Sequence, residues 1–514
     1  MATLPKQAAL NPDYGVASVE QLFRERAYLD SSCKLPCLVF FTASIVWLIL
    51  GTIFALVASM KLHSPEFLVS LPFVGDVAAL TFGRIRPAHL NSVIYGWANN
   101  AAIAVCIWLV ARLCRTPVQH TWLLVSAGIL WNIGVMIGIL GILLGYSTSI
   151  EWIEMPTAAA FLLFTSYAMI SVWAVMMFAN RKPGHVFVSL WYILGALFWF
   201  PWLYGCVQLL LLLQPVEGSV QAIINWWFAH NVLGLWFTPI GLATAYYLIP
   251  KVIGKPIHSY YLSILGFWTL ALFYSWNGAH HLINGPVPAW VVSVSIIASA
   301  MMLIPVVTVA INHHFTMRGH FHMLKSSPTL RFVVYGAMSY TLASLQGTLM
   351  AFRTFNEVTH FTHYTVGHAH LGMYMFFTMM MFGAMYYILP RLTGWEWPSA
   401  TLIKIHFWST ALGGILMVSV LTLGGIEQGL KLVMFWLKEA PSPDNPTGVP
   451  FTFMEILEST KPWLFVRTLS GLLILTGHLA FAYNFFLMLA RKGEPKTTPT
   501  LLTVERKQLQ LQTN

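Results

Sequence analysis

The sequence predicts an all-α polytopic membrane protein, a bundle of twelve transmembrane helices. Hydrophobic residues make up 57% of the 514 positions and charged residues only 9%, against roughly 25% charged in an ordinary soluble domain. Apolar stretches of about 20 residues, the length that crosses a bilayer core, recur along the chain. No stretch of suitable length alternates with period two, so a barrel is not supported. So little charge cannot cover a soluble surface of this size. That excludes a soluble enzyme, a nucleic-acid-binding module and a disordered scaffold, and leaves the lipid bilayer as the chain's surroundings.

Residues 1–36 are polar and mixed in charge, do not resemble a cleaved signal peptide, and are expected to form a cytoplasmic N-terminal segment. The spans follow at roughly 37–60, 88–112, 121–146, 156–180, 186–213, 222–249, 260–283, 287–312, 330–352, 364–390, 400–432 and 463–490. In lipid the backbone must satisfy itself, so these are helices. With no internal repeat and no dividing Pro/Gly run, 37–491 reads as one domain. Residues 492–514 read as a disordered cytoplasmic tail. Twenty of the 28 Lys and Arg fall on the side of the two termini and eight on the other, which places both termini in the cytoplasm. The five cysteines are scattered, with neither C-x-x-C-H nor zinc spacing. No haem c is therefore attached to this chain, and Cys33 and Cys37 read as plain thiols beside the first span.

Of the 18 histidines, most read as loop or headgroup residues, His313 among them. His406 and His478, alone in spans 11 and 12, read as hydrogen-bonded core residues. Six differ. His89 opens span 2, and His230 lies about 12 Å into span 6 at 1.5 Å per residue. His280 and His281 end span 7, and His368 and His370 open span 10. All six fall in the outer half of the bilayer, where ionisable groups are costly and usually functional. Neutral imidazole is a common ligand of iron and copper. His368 and His370 lie about 200° apart around one helix, so that helix would stand between two cofactors. His280 and His281 could share a metal with His230. Six ligands divide as two, one and three: a six-coordinate haem, a five-coordinate haem with an open face, and a copper opposite it.

The segments Arg84-Ile85-Arg86-Pro87-Ala88-His89, Trp226-Trp227-Phe228-Ala229-His230-Asn231, Tyr274-Ser275-Trp276-Asn277-Gly278-Ala279-His280-His281 and Tyr364-Thr365-Val366-Gly367-His368-Ala369-His370 resemble, in order and spacing, those of the catalytic subunit of haem–copper oxidases, specifically the C-family or cbb(3)-type cytochrome c oxidase. The likeness covers all twelve spans. It implies the haem–copper oxidase bundle and a terminal oxidase that reduces O₂ to water with electrons from cytochrome c, coupled to proton uptake and translocation across a bacterial inner membrane. It implies two haem b groups and one copper ion. His89 and His370 would bind the low-spin haem and His368 the high-spin haem; His230, His280 and His281 would hold copper. Tyr274 would be the redox-active tyrosine, joined in that family to a copper-ligand histidine, here His230. Membrane-anchored cytochrome c subunits would be the partners, with the 433–462 segment a candidate contact.

From Gly218 to Asn356 there is no Asp or Glu. Protons must therefore travel on hydroxyls and water. Tyr246, Tyr247, Tyr260, Tyr261, Ser263, Thr269 and Tyr274 are candidates, Tyr260 and Ser263 foremost, and they resemble the family's tyrosine- and serine-lined channel. Glu151 and Glu154 stand where the family has acidic residues near the haem propionates, one of them a calcium ligand. Arg84, Arg86 and Arg467 are candidate propionate partners through charge-assisted hydrogen bonds. The chain departs from the family pattern at Gln346, Gly266, Asn277 and Ala279. The alternatives are a nitric oxide reductase, with iron in place of copper, and a twelve-helix transporter. The former typically needs a carboxylate one turn after the span 6 histidine, where this chain has Gly234. The latter leaves the six histidines unexplained.

Overall fold

A computed structural model describes residues 19–435, 441–443 and 448–495. The expected tail beyond 495 and residues 436–440 and 444–447 of the 433–462 segment lie outside the described residues. Ten helices among those described are long and apolar enough to cross a membrane. Together with the short Tyr260–Tyr274 and the more hydroxyl-rich Pro328–Met350 they match the twelve expected spans. In chain order they are α1 Val19–His63, α2 Phe82–Cys114, α3 Thr121–Leu144, α4 Thr157–Ala179, α5 Val188–Leu213, α6 Ser219–Ile253, α7 Tyr260–Tyr274, α8 Ala289–Met317, α9 Pro328–Met350, α10 His363–Thr393, α11 Ala400–Phe435 and α12 Phe453–Leu489.

Burial sorts these helices into layers. The most apolar windows of α2, α6 and α10 are 94%, 94% and 83% buried, whereas the other long helices bury half or less. These three form the centre of the bundle, and indole hydrogen bonds join them. Trp97 Nε1 donates to Thr378 Oγ1 at 2.9 Å, tying α2 to α10, and Trp236 Nε1 donates to Asn99 Oδ1 at 2.7 Å, tying α6 to α2. Each central helix also contains a widened π turn: Ser92–Ala98, Val232–Phe237 and Leu371–Thr378. Each widened stretch begins one to three residues after one of the singled-out histidines. Such bulges insert a residue into the helical register and are common at functional sites.

Several element boundaries differ from the sequence reading, α2 and α12 among them, which start earlier at Phe82 and Phe453. Helix α1 starts at Val19, well inside the segment read as a polar cytoplasmic one outside the first span. Its charges are met by α2 and the loops at that end of the bundle: Glu25 pairs with Arg115 and Lys182, both at 2.8 Å, and Asp30 lies 3.5 Å from Arg112. Composition set this stretch apart from the first span because those partners are distant in sequence. Cys33 and Cys37 are free thiols, but they are buried within α1 rather than beside it. The seventh span is interrupted. Its α-helix ends at Tyr274, and His280 and His281 ride on a 3₁₀ turn, Asn277–Leu282. A side chain at Gly278 would run into the Trp226 carbonyl, so glycine there allows the turn to press on α6. Helix α8 breaks between Met301 and Leu303, just before Pro305, whose missing N–H disrupts the ladder.

Helix α11 sets the start of α10. Gly425 and Gly429, spaced as small residues are at tight helix crossings, lie flat against the 358–364 backbone. A Cβ at Gly425 would overlap the Tyr364 nitrogen and sit 2.7 Å from its Cα. Gly425→Val should therefore destabilise the protein by about 3 kcal/mol or more, as a forced overpacking against rigid backbone does. A fall in the melting temperature of the purified protein checks this; an unchanged one would mean that the two helices do not meet there.

Candidate functional site

The three central helices and the α7–α8 connection converge on a cavity of about 390 Å³ at the end of the bundle where the even-numbered helices begin. All six singled-out histidines line it, together with Tyr274. His230, His280 and His281 form one group. One ring nitrogen from each lies within 4.8 Å of the others, a set that could hold a metal ion. Their ring centroids are 4.7 Å apart for His230 and His280, 5.4 Å for His230 and His281, and 4.5 Å for the adjacent pair. Both imidazoles belong to the Asn277–Leu282 turn, and the close approach of that turn to α6 at Gly278 sets the pair against His230.

Two of the three rings are held from behind. The His280 backbone N–H donates to Ser295 Oγ at 2.8 Å, and its Nδ1 meets Ser299 Oγ at 2.7 Å, leaving Nε2 toward the group. Ser295 is itself fixed to the Asn277 carbonyl. His281 stacks on Trp226, centroids 4.1 Å apart and 11° from parallel. His230 Nδ1 is buried with no hydrogen-bond partner. A buried ring nitrogen without a partner is costly, and a metal ion is the partner this donor set suits.

The other three histidines take the expected sides of α10. His89 Nδ1 lies 2.8 Å from the Gly51 carbonyl and His370 Nδ1 lies 2.8 Å from the Val366 carbonyl. A carbonyl can only accept, so both rings carry the proton on Nδ1 and present Nε2 as a lone pair. Both line the central cavity and a second cavity between α1, α2, α10 and α12. His368 lines only the central one, beneath the three-histidine group, with its Nδ1 3.3 Å from Gln346 Oε1. Glycine at 347 leaves room for that ring, since a Cβ would stand 3.0 Å from His368 Cε1.

Tyr274 lies against His230, centroids 4.8 Å apart and planes 33° apart. It can do so because residue 234, one turn after His230, is glycine. Any Cβ there would fall inside the Tyr274 ring. The sequence reading noted Gly234 as a missing carboxylate; the structure shows that the tyrosine fills the space.

The remaining candidates separate. Arg86 and Arg467 line the central cavity with Glu151. Arg86 bonds Glu151 at 2.9 Å and reaches Glu154 at 3.9 Å. Glu154 is buried, accepts from Asn91 Nδ2 at 2.9 Å and keeps Oε1 unpartnered; burial raises its carboxyl above the usual range. Arg84 is directed elsewhere: its guanidinium donates to the Leu143 carbonyl at 3.0 Å, closing the end of α3. Ser263 is buried and accepts from Asn312 Nδ2 at 2.8 Å, and the same nitrogen lies 3.4 Å from the Tyr246 hydroxyl. Tyr260 sits at the bundle's edge, bonded to the Val186 carbonyl at 3.1 Å, and Tyr261 is exposed. His313, read as a surface residue, is instead buried against Tyr246 at 4.5 Å. Asn312, Tyr192 and Tyr340 were not singled out from sequence. The hydroxyls of Tyr192 and Tyr340 are buried without partners, and Tyr340 lines the central cavity. Polar groups inside apolar spans were the available signal. His478 bonds Thr52 and Tyr374, and His406 bonds Tyr386, as core histidines do.

Residues 36–473 match the family described as "Cytochrome C and Quinol oxidase polypeptide I". The chain is 30% identical over 448 residues to the cbb3-type cytochrome c oxidase subunit CcoN1 of Stutzerimonas stutzeri, covering 86% of this chain and 92% of that one. It is 30% identical over 467 residues to a cytochrome c oxidase subunit 1 homolog, bacteroid, of Bradyrhizobium diazoefficiens, covering 87% and 80%. Its fold matches a chain of a heme-copper terminal oxidase dimer solved by cryo-electron microscopy, with a TM-score of 0.60 at 16% identity over 93% of this chain and 86% of that one.

The seating of Tyr274 on Gly234 can be tested by a double-mutant cycle. Gly234→Ala should cost about 1–3 kcal/mol by overpacking. The penalty should shrink when Tyr274→Ala is added, read by thermal unfolding. Additive effects would place the ring elsewhere.

Proposed function

The chain belongs to the cytochrome c and quinol oxidase polypeptide I family, and from that membership together with the site we infer how it works. It is a multi-pass membrane subunit of a haem–copper terminal oxidase, an enzyme that reduces O₂ with electrons from cytochrome c. We propose that His230, His280 and His281 hold a copper ion, that His368 carries the high-spin haem b, and that His89 and His370 carry the low-spin haem b. The observation that carries this reading is the group of three imidazoles within 4.8 Å, with an unpartnered buried nitrogen on His230 and with Tyr274 alongside.

When bound, haem and copper supply electrons and the open coordination positions at which dioxygen is reduced. The chain's own groups do the rest. Ser299 fixes the His280 ring and the Gly51 and Val366 carbonyls fix His89 and His370, so the lone pairs are aimed before any ligand arrives. Tyr274 keeps a proton-bearing phenol beside His230. Arg86 and Arg467 offer positive charge to the propionates at the cavity mouth. Protons reach the phenol over the Ser263 and Tyr246 hydroxyls, both held by Asn312 Nδ2, then past Tyr192 and Tyr340 with intervening water. The side bearing both termini is the cytoplasm in this reading, by the excess of Lys and Arg there. Electrons arrive from membrane-anchored cytochrome c subunits at the opposite face. A calcium ion near Glu151 and Glu154 would compete with Arg86, which approaches the two carboxylates at 2.9 Å and 3.9 Å, and these two groups alone would not supply the six to eight oxygens that calcium takes.

Nitric oxide reduction is disfavoured by a steric fact: the volume its metal-side carboxylate would need at position 234 is filled by Tyr274.

Metal analysis tests the centre. The purified complex should contain copper, and His230→Ala should lose it while retaining the low-spin haem spectrum. Non-haem iron in its place would overturn the assignment. Asn312→Leu, which removes the donor that orients the Ser263 and Tyr246 hydroxyls, should slow oxygen consumption with haem and copper contents unchanged. Full activity in that variant would move the proton route elsewhere.

A further inference from the structure

At the opposite end of the bundle from the histidines, a second large cavity, about 560 Å³, opens between the start of α1, the end of α2, the start of α5 and the end of α6. Among the described residues its lining includes five cationic side chains, Arg26, Arg112, Arg115, Lys251 and Lys255, and one carboxylate, Glu25. That carboxylate is already consumed by Arg115 and Lys182, each at 2.8 Å. Arg112 is nearly buried, its side chain 7% exposed, and its one acidic neighbour is Asp30 at 3.5 Å. Lys251, in the last turn of α6, and Lys255, just beyond the Gly254 cap, have no ion-pair partner among the described residues. One wall is apolar, formed by Leu29, Phe187 and Pro250.

A concave site holding this excess of positive charge, with a buried guanidinium at its base, is chemically complementary to a phosphate ester. Arginine presents paired donors to phosphate oxygens and lysine supplies mobile charge. Positive residues that only anchor a helix at the headgroups need no cavity and stand on its rim. Here they surround a space large enough for a phosphate with part of its organic substituent. The apolar wall fits a substituent with hydrocarbon character.

We propose that this cavity binds a phosphate ester, supplied either as the headgroup of an anionic phospholipid or as a soluble phosphate compound. Tyr246 lines the same cavity and meets Asn312 on its inner side, so an occupant would cover one end of the hydroxyl series. The inference does not depend on the oxygen chemistry, and its test reads binding alone.

The purified full-length protein within its complex is titrated with phosphatidylglycerol, with phosphatidylcholine as the zwitterionic reference, and separately with pyrophosphate. Bound fractions are read by native mass spectrometry. Lys251→Gln/Lys255→Gln should weaken binding of the anionic ligand about 25-fold, five-fold per lysine, from the usual worth of one basic residue at an anionic surface. Lys404→Gln, an exposed lysine outside the cavity at the same end, should leave it unchanged. Lysine-dependent binding of phosphatidylglycerol identifies a lipid site. The same dependence with pyrophosphate alone identifies a soluble phosphate site. Loss of neither ligand in the double variant, or an equal loss in Lys404→Gln, overturns the proposal. Both lysines are at least partly exposed, and circular dichroism verifies that the variant is folded.

Discussion

The site depends on one constraint: imidazole nitrogens are buried together inside a membrane bundle, where no water can satisfy them. An unpaired polar group costs more in such surroundings than in a soluble core. The protein answers for one nitrogen of most of these rings, using Ser299, Gly51, Val366 and Gln346. The other nitrogens converge on shared space. His230, whose Nδ1 has no partner at all, shows the constraint most plainly. A structure that leaves such groups unmatched is one built around an additional component.

Regular helices could not meet this demand alone. The widened turns after His89, His230 and His370 and the 3₁₀ turn at His280 and His281 all depart from α geometry close to the ligands. The departures are tolerated because the surrounding helices shield them, as non-helical backbone at membrane depth requires. Glycines at 234, 278 and 347 then let rings and backbone approach where a side chain would collide. Ligand placement here comes from local irregularity held by a regular frame.

Much of this was legible in the sequence. Spans are announced by hydropathy, and the depth of a histidine follows from its position along a span, so the six histidines could be assembled before any coordinate was known. Less legible were features set by partners far away in the chain. Residues 19–36 read as a polar segment outside the first span because Arg112 and Arg115, which neutralise Asp30 and Glu25, stand about eighty to ninety residues on. His313 read as a surface residue because its position near the end of a span says nothing about Tyr246 packing over it. Arg84 and Arg86 look equivalent in sequence, yet one closes a neighbouring helix and the other faces the cavity. Asn312 carries no motif; only the meeting of α6, α7 and α8 reveals that it joins Ser263 to Tyr246.

The absent side chain at position 234 makes two distant positions interdependent. One small volume beside His230 admits either the phenol ring of Tyr274 or a side chain from α6, and never both. Residue 234 is therefore held to glycine for as long as the ring occupies that place, although a glycine contributes no side-chain contact of its own.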